Sequence, residues 1–294
     1  MKTKIYTIIF ILIITTFSCS KNKDNLSYKI KGPKSVLQVI KQVLPDFIKQ
    51  FPYLKIKLEA VEDARAIASY LDGTCDFAIA ARDFNITESN FAARKNKRVQ
   101  AYPITKDAVS VIVSKNNPIN DISYDLLIKI LSYKVNDWNE IIKEILKSPY
   151  FDRTKIRDFI EKTRTLLEMP LKVCVLNNLY SLHEYLLEKI NIKYFSTKIE
   201  FFRTPEMLRK FVANNTNAIG IISSTSKSNK CRTLSLNKVI ISKENIINNK
   251  YPLVKSYYLF IPRNYKGIEI IDFVFYLRSR KVRKILNKRG FVRP

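Results

Sequence analysis

Tyr28-Lys29-Ile30-Lys31-Gly32-Pro33-Lys34-Ser35-Val36-Leu37-Gln38 is the stretch that sets the fold class. Tyr28 and Ile30 alternate with polar neighbours as a short strand, Gly32-Pro33-Lys34 turns, and the apolar period then changes. Val36, Ile40, Val43 and Phe47, joined by Leu37, Leu44 and Ile48, mark one face of a helix. Ser35 with Gln38 three residues on reads as a capping box. Leu54, Ile56, Leu58 and Ala60 alternate as a second strand, residues 63–71 form a short helix ending near Gly73, and residues 77–81 are a buried strand. The order is βαβαβ, an α/β fold with parallel strands, helices on their faces, and ligands collecting at the strand carboxyl ends.

The pattern continues outward. A helix over 87–94 and a strand around Ala101 lead to an apolar strand over 108–113. Ser123 caps a helix through Leu131, another follows Trp138, and residues 148–169 are a charged helical insertion. A strand over 171–176 precedes a helix opened by Ser181, where Glu184 completes a second capping box. Thr204-Pro205 starts a helix with proline at its first position, strands cover 218–223 and 255–261, and the tail over 268–287 is helical.

Composition narrows the chemistry. The 294 residues carry 52 Lys+Arg against 26 Asp+Glu, a formal charge of +26, with 46% hydrophobic residues. That is a globular composition. The five glycines are too far apart for a dinucleotide or Walker loop. One histidine and no CxxC pair exclude histidine-rich catalytic zinc and structural zinc ribbons, so no metal and no cofactor are expected. The basic residues are dispersed and no nucleic-acid recognition motif occurs, so the charge points to anion concentration at a cleft or to anionic lipid headgroups.

Lys2 and Lys4 precede an apolar run over 5–14, followed by Thr15-Thr16-Phe17-Ser18-Cys19. The run is too short to span a membrane, which takes ~20 apolar residues, and reads as a secretory signal. Ser18 before Cys19 and the polar stretch after it resemble a bacterial lipoprotein signal with a relaxed lipobox, which makes Cys19 the lipidated residue; an ordinary cleaved signal is the other reading. Residues 1–18 are then the signal peptide and 19–26 a tether. Cys75, Cys174 and Cys231 remain, each in or beside an apolar run, and an odd count favours buried free thiols over a disulfide framework.

Several segments, in order, resemble the phosphate-binding protein of bacterial phosphate ABC transporters, the PstS family. They are Asp76-Phe77-Ala78-Ile79-Ala80-Ala81-Arg82, Asp107-Ala108-Val109-Ser110-Val111-Ile112-Val113 with Asn117-Pro118, Asn136-Asp137-Trp138, Ala218-Ile219-Gly220-Ile221, Tyr251-Pro252-Leu253 with Tyr257-Tyr258-Leu259, and Gly290-Phe291-Val292. The resemblance implies a two-lobed periplasmic-binding-protein type II fold with two hinge crossings. Residues 27–106 and 225–294 would form lobe 1 and residues 107–224 lobe 2, with the ligand in the cleft.

It also implies a site. The first anion loop of the family corresponds to Gly32-Pro33-Lys34-Ser35, with Lys34 and Ser35 as ligand residues, Ser35 being open equally to a plain capping role. The second loop, Val61-Glu62-Asp63-Ala64-Arg65, departs from the glycine- and serine-rich family pattern. The third gives Arg82, whose forked donors suit a tetrahedral oxyanion; its other reading is a salt bridge to Asp83 or another rim acid. The fourth contact, an arginine before a Ser-Gly-Thr turn, is matched by Ser181, with Asn177 in the arginine's place and Leu182 and His183 replacing the glycine and threonine. His183 lies two residues from Ser181, and i,i+2 residues on a helix do not face each other, so a catalytic pair is not expected.

The expectation is a non-enzymatic, monomeric substrate-binding protein of an ABC importer, exported and lipid-anchored to the bacterial membrane, facing the periplasm or cell surface. Its partners would be phosphate or a related oxyanion and the permease subunits, not nucleic acid. The alternative is a degenerate binding-protein fold used as a surface interaction protein for acidic polysaccharide or a host ligand.

Overall fold

The computed structural model describes residues 25–178, 181–226 and 228–294. Cys19 and the signal segment lie outside the described residues. The first strand β1 (Leu26–Gly32) is flanked by parallel β2 (Leu54–Ala60) and β3 (Phe77–Ala80). Between them run α1 (Lys34–Ile48) and α2 (Asp63–Asp72), the latter ended by Gly73 at φ 85°, a left-handed cap that glycine adopts without strain. After α3 (Ile86–Arg94), capped by a reciprocal Asn85–Glu88 box, comes β4 (Val99–Ser114). It is one sixteen-residue strand where the sequence suggests two.

The second half repeats the first. Parallel β6 (Lys172–Leu176) sits between β7 (Glu200–Phe202) and β8 (Ala218–Ser223), with α7 (Ser181–Lys189) and α8 (Pro205–Asn214) in the connections. Thr204 caps α8 and Pro205 stands in its first turn, as expected. Ahead of β6 lie short β5 (Asp121–Ile122), α4 (Tyr124–Leu131) and α5 (Trp138–Lys147), capped by Ser123 and Asp137. The charged insertion carries α6 (Ile156–Leu167).

After short β9 (Cys231–Thr233), β10 (Ser235–Leu236) and α9 (Lys243–Ile247), β11 (Val254–Pro262) returns to the first half. The tail forms α10 (Ile268–Leu277) and α11 (Arg280–Lys288), two helices because Ser279 ends one and caps the next. The sheet order is β2-β1-β3-β11-β4-β8-β6-β7. Each half is a parallel triplet closed by an antiparallel strand, and β4 and β11, paired from Val99/Pro262 to Ala108/Val254, join the halves. This is the two-lobed type II binding-protein architecture with two crossings.

The core is correspondingly divided. Ile30, Val36, Phe47, Phe77, Leu259 and Phe273 pack in the first half, and Val111, Trp138, Val175, Leu208 and Ile221 in the second. Leu234, Leu236, Ile246, Tyr251 and Leu253 belong to the second core. Cys75, Cys174 and Cys231 are buried free thiols. Among the described residues no helix is long and apolar enough to cross a membrane.

Candidate functional site

The carboxyl ends of β1, β2 and β3 lead into the α1 opening, the α2 opening and Arg82; in the other half β6 leads toward α7. Gly32 makes the first turn possible, because a Cβ there would lie 2.7 Å from Ile79 Cβ and 2.8 Å from Ile79 O. Pro33 is the N-cap of α1 and no side chain caps that helix. The Ser35–Gln38 capping box is therefore not formed. Instead the half-buried Ser35 hydroxyl faces the buried Tyr257 hydroxyl and favours its charged form, against the rise in pKa that burial causes. Lys255 Nζ donates to the same oxygen at 3.0 Å and lies 3.7 Å from Asp107 Oδ2. Asp107 Oδ1 accepts from Ser224 Oγ at 2.7 Å, and Oδ2 accepts from Ser223 Oγ. This fully buried ion pair thus sits on the two crossing strands with its polar atoms matched, as a low-dielectric interior demands.

A second cluster spans the halves. Asp63 opens α2 and is buried; its Oδ2 accepts the Ala81 N–H at 3.1 Å, while Oδ1 has no partner among the described residues. Burial pushes its pKa up to about 7, against the pull of Lys255 and the Ala81 amide. Arg82 forks onto Glu88, with Nη1–Oε2 at 2.7 Å and Nη2–Oε1 at 2.8 Å. Those bonds hold its pKa up despite burial. Its Nε lies 3.6 Å from Glu184 Oε2, on the first turn of α7 in the other half. Burial raises the Glu184 pKa, and Arg82 and the Ala64 N–H at the α2 opening oppose the rise. The Glu184 carboxylate is thus an oxyanion paired with a guanidinium and set near a helix N-terminus, groups that favour negative charge.

Of the expected residues, Arg82 and Ser35 join these clusters. The salt-bridge reading of Arg82 is the arrangement present, with Glu88 and Glu184 as its acids; Asp83 contributes its backbone carbonyl at 3.0 Å. Ser181 is the buried first residue of α7, one turn before Glu184, which pairs with Arg82 of the other half. Lys34 is exposed at the α1 opening, and the Asn177 N–H donates to Phe202 O at 3.0 Å. His183 packs edge-on to Phe195 at 5.0 Å with Nδ1 3.2 Å from Leu176 O, a structural placement. No group of three or more His, Cys, Asp or Glu able to hold a metal occurs among the described residues.

Sequence reasoning missed Asp63, Asp107, Glu184, Lys255 and Tyr257. Lys255 carried a signal: with Tyr257 and Leu259 it occupies the inward alternation of β11, where a lysine is out of place unless paired.

A sheet with two parallel triplets, two crossing strands and helix openings that meet between the halves is the architecture of periplasmic-type binding proteins. The chain belongs to the PBP superfamily, whose domain model matches residues 20–280. It is 22% identical over 294 residues to the phosphate-binding protein PstS of Borreliella burgdorferi, covering 98% of each chain. A phosphate-binding protein PstS 2 of Streptococcus agalactiae is 28% identical over 114 residues, spanning 39% of this chain and 37% of that protein. In fold the chain is similar to an ABC-type phosphate transport receptor from Vibrio cholerae, with TM-score 0.74 and 16% identity over 91% of this chain and all of the other. A phosphate-bound substrate-binding protein from Clostridium perfringens gives 0.70 and 18%, covering 91% of this chain and 99% of that one.

Proposed function

We propose that the chain is the substrate-binding component of an ABC importer, exported and held to the membrane through Cys19, which captures inorganic phosphate or a similar oxyanion between its lobes. Lobe 1 comprises the N-terminal part from residue 27 and the end of the chain, and lobe 2 the middle. The packing of Leu234, Ile246, Tyr251 and Leu253 with the second core supports drawing the return crossing at β11, later than residue 225. The ligand donors are the α1 opening with Lys34 and Ser35, the Ala64 amide, Arg82, and the α7 opening with Asn177 and Ser181. The protein acts as a monomer, and hinge closure presents the loaded form to the permease without covalent chemistry.

One observation carries this reading: the Glu184 carboxylate of one half already pairs with Arg82 of the other, Nε to Oε2 3.6 Å, where the Ala64 N–H at the α2 opening also favours its charge. An incoming oxyanion takes that position by displacing Glu184. Removing the competing charge frees one charge-assisted contact, of the order of 1.5–3 kcal/mol. Glu184→Gln is therefore expected to tighten phosphate binding at least about tenfold, read by isothermal titration at low salt. Absence of heat and of thermal shift for both proteins at millimolar phosphate rejects phosphate as ligand.

The same observation supports a second reading. If the Glu184 carboxylate is a permanent occupant, the cleft is sealed and the fold serves as a surface interaction protein. Salt-sensitive retention on heparin without any phosphate response in the Glu184→Gln protein favours that reading.

A further inference from the structure

The excess of cations is not consumed by the cleft, where Arg82 and Lys255 are paired with acids. Five of the remaining cations gather on one face. Arg280, Arg283, Lys284 and Asn287 stand at i, i+3, i+4 and i+7 on α11, one face of that helix, while Val282 and Leu286 on the other face are buried. With Lys243 of α9 and Arg293 they line an open concavity of ≈ 470 Å³ that contains no carboxylate. All five cations are exposed, and none has an ion-pair partner among the described residues.

The position of this face narrows its partner. Lys281, beside Arg280, bonds Asp46 at 2.7 Å near the end of α1, and Arg289 bonds Gln42 at 3.2 Å, so α11 runs antiparallel to α1. The end of α1 leads within a few residues to Tyr53, whose carbonyl accepts the Leu26 N–H at 3.0 Å. The start of α11 therefore lies at the end of the first half where β1 begins, and the concavity runs from there along α11 to Arg293, next to Val292, which pairs with Lys106 on the crossing strand β4. No aromatic side chain lines the concavity, which removes the stacking platform that single-stranded nucleic acid uses.

We propose that this basic face of α11, with Lys243 of the second half and Arg293 beside the crossing strands, docks on an anionic lipid surface, laying this flank of the molecule against the membrane. Each basic side chain near such a surface favours binding by a factor of about five, and neighbouring charges act together. The docking does not require the lipid on Cys19, so its test separates from that of import.

The full chain is sedimented with vesicles of phosphatidylcholine alone or with about one-third phosphatidylglycerol, and the ratio of the two partition coefficients is read, which cancels any apolar insertion. The wild type is expected to prefer the anionic vesicles. Arg280→Gln with Arg283→Gln and Lys284→Gln is expected to lower that ratio by roughly a hundredfold, and Lys243→Gln with Arg293→Gln to lower it less. Lys143→Gln with Arg157→Gln and Arg164→Gln, which removes three exposed charges elsewhere, is expected to leave most of the ratio. A wild-type ratio near one overturns the proposal, as does an α11 triple variant that keeps the preference or an equal loss in the two triples. Loss of vesicle binding to millimolar inorganic phosphate at constant ionic strength also overturns it, because the face would then be a free-anion pocket.

Discussion

Asp63 has one carboxylate oxygen satisfied by the Ala81 N–H and one with no partner among the described residues, so burial penalises its charged form more than the amide compensates. Its folded pKa of about 7 lies above the ordinary aspartate value of 3.8, so the folded state binds more protons between those limits. The resulting stabilisation is complete below pH about 4 and is lost as the pH rises through about 7. Urea unfolding at intervals from pH 5 to 8 is expected to show stability falling with pH, and Asp63→Asn to remove the Asp63 share of that slope. Acids whose folded pKa is lowered, such as Asp46, Asp72 and Glu144, act below this window. At this scale the sequence was partly legible. Arg82 was visible from its place at a strand end, and its acid partners were open as an alternative. Glu184 was read as half of a capping box, because i,i+3 spacing reports local geometry and is silent about a carboxylate aimed at another lobe.

Elements whose apolar period is unbroken were legible: α1, β2, α2, β3, α4 and β8 fall where the pattern places them. The single strand β4 was not, because Lys106-Asp107 interrupts its apolar run; Asp107 is buried there against Lys255, which no local pattern encodes. The three-residue β7 and β9 and two-residue β5 and β10 are too short to show a period, and the tail's break at Ser279 hides inside a continuous helical one. Gly32 is where element packing and site meet. At 2.7–2.8 Å from Ile79 Cβ and O, an added methyl presses on a neighbouring strand's backbone, which cannot rotate aside. Gly32→Ala is expected to cost about 1–3 kcal/mol in urea unfolding, the range for overpacking. Because the same turn presents Ser35, it is also expected to weaken anion binding in titration.

The halves of the molecule meet on β4 and β11, and the pair Lys255–Asp107 lies in register on those two strands with side chains 2% and 0% exposed. Removing one partner leaves the other charge buried without compensation, at about 3–5 kcal/mol, whereas removing both avoids that penalty. Lys255→Met and Asp107→Asn are each expected to destabilise strongly, and the double variant to lose less than the two singles together, with a coupling of about 1–3 kcal/mol from the four urea curves. A simple sum would mean that the Ser223 and Ser224 hydroxyls alone hold Asp107. The pair also reaches the cleft. Lys255 holds the Asp63 pKa down, and it bonds Tyr257, whose hydroxyl stands near Ser35. Lys255→Met is therefore expected to move the pH-dependent part of the stability curve above pH 7, since Asp63 loses its main opposing charge. A curve whose midpoint stays near 7 in that variant would show that the crossing strands and the cleft acid titrate independently, and that burial at the α2 opening alone sets the Asp63 proton affinity.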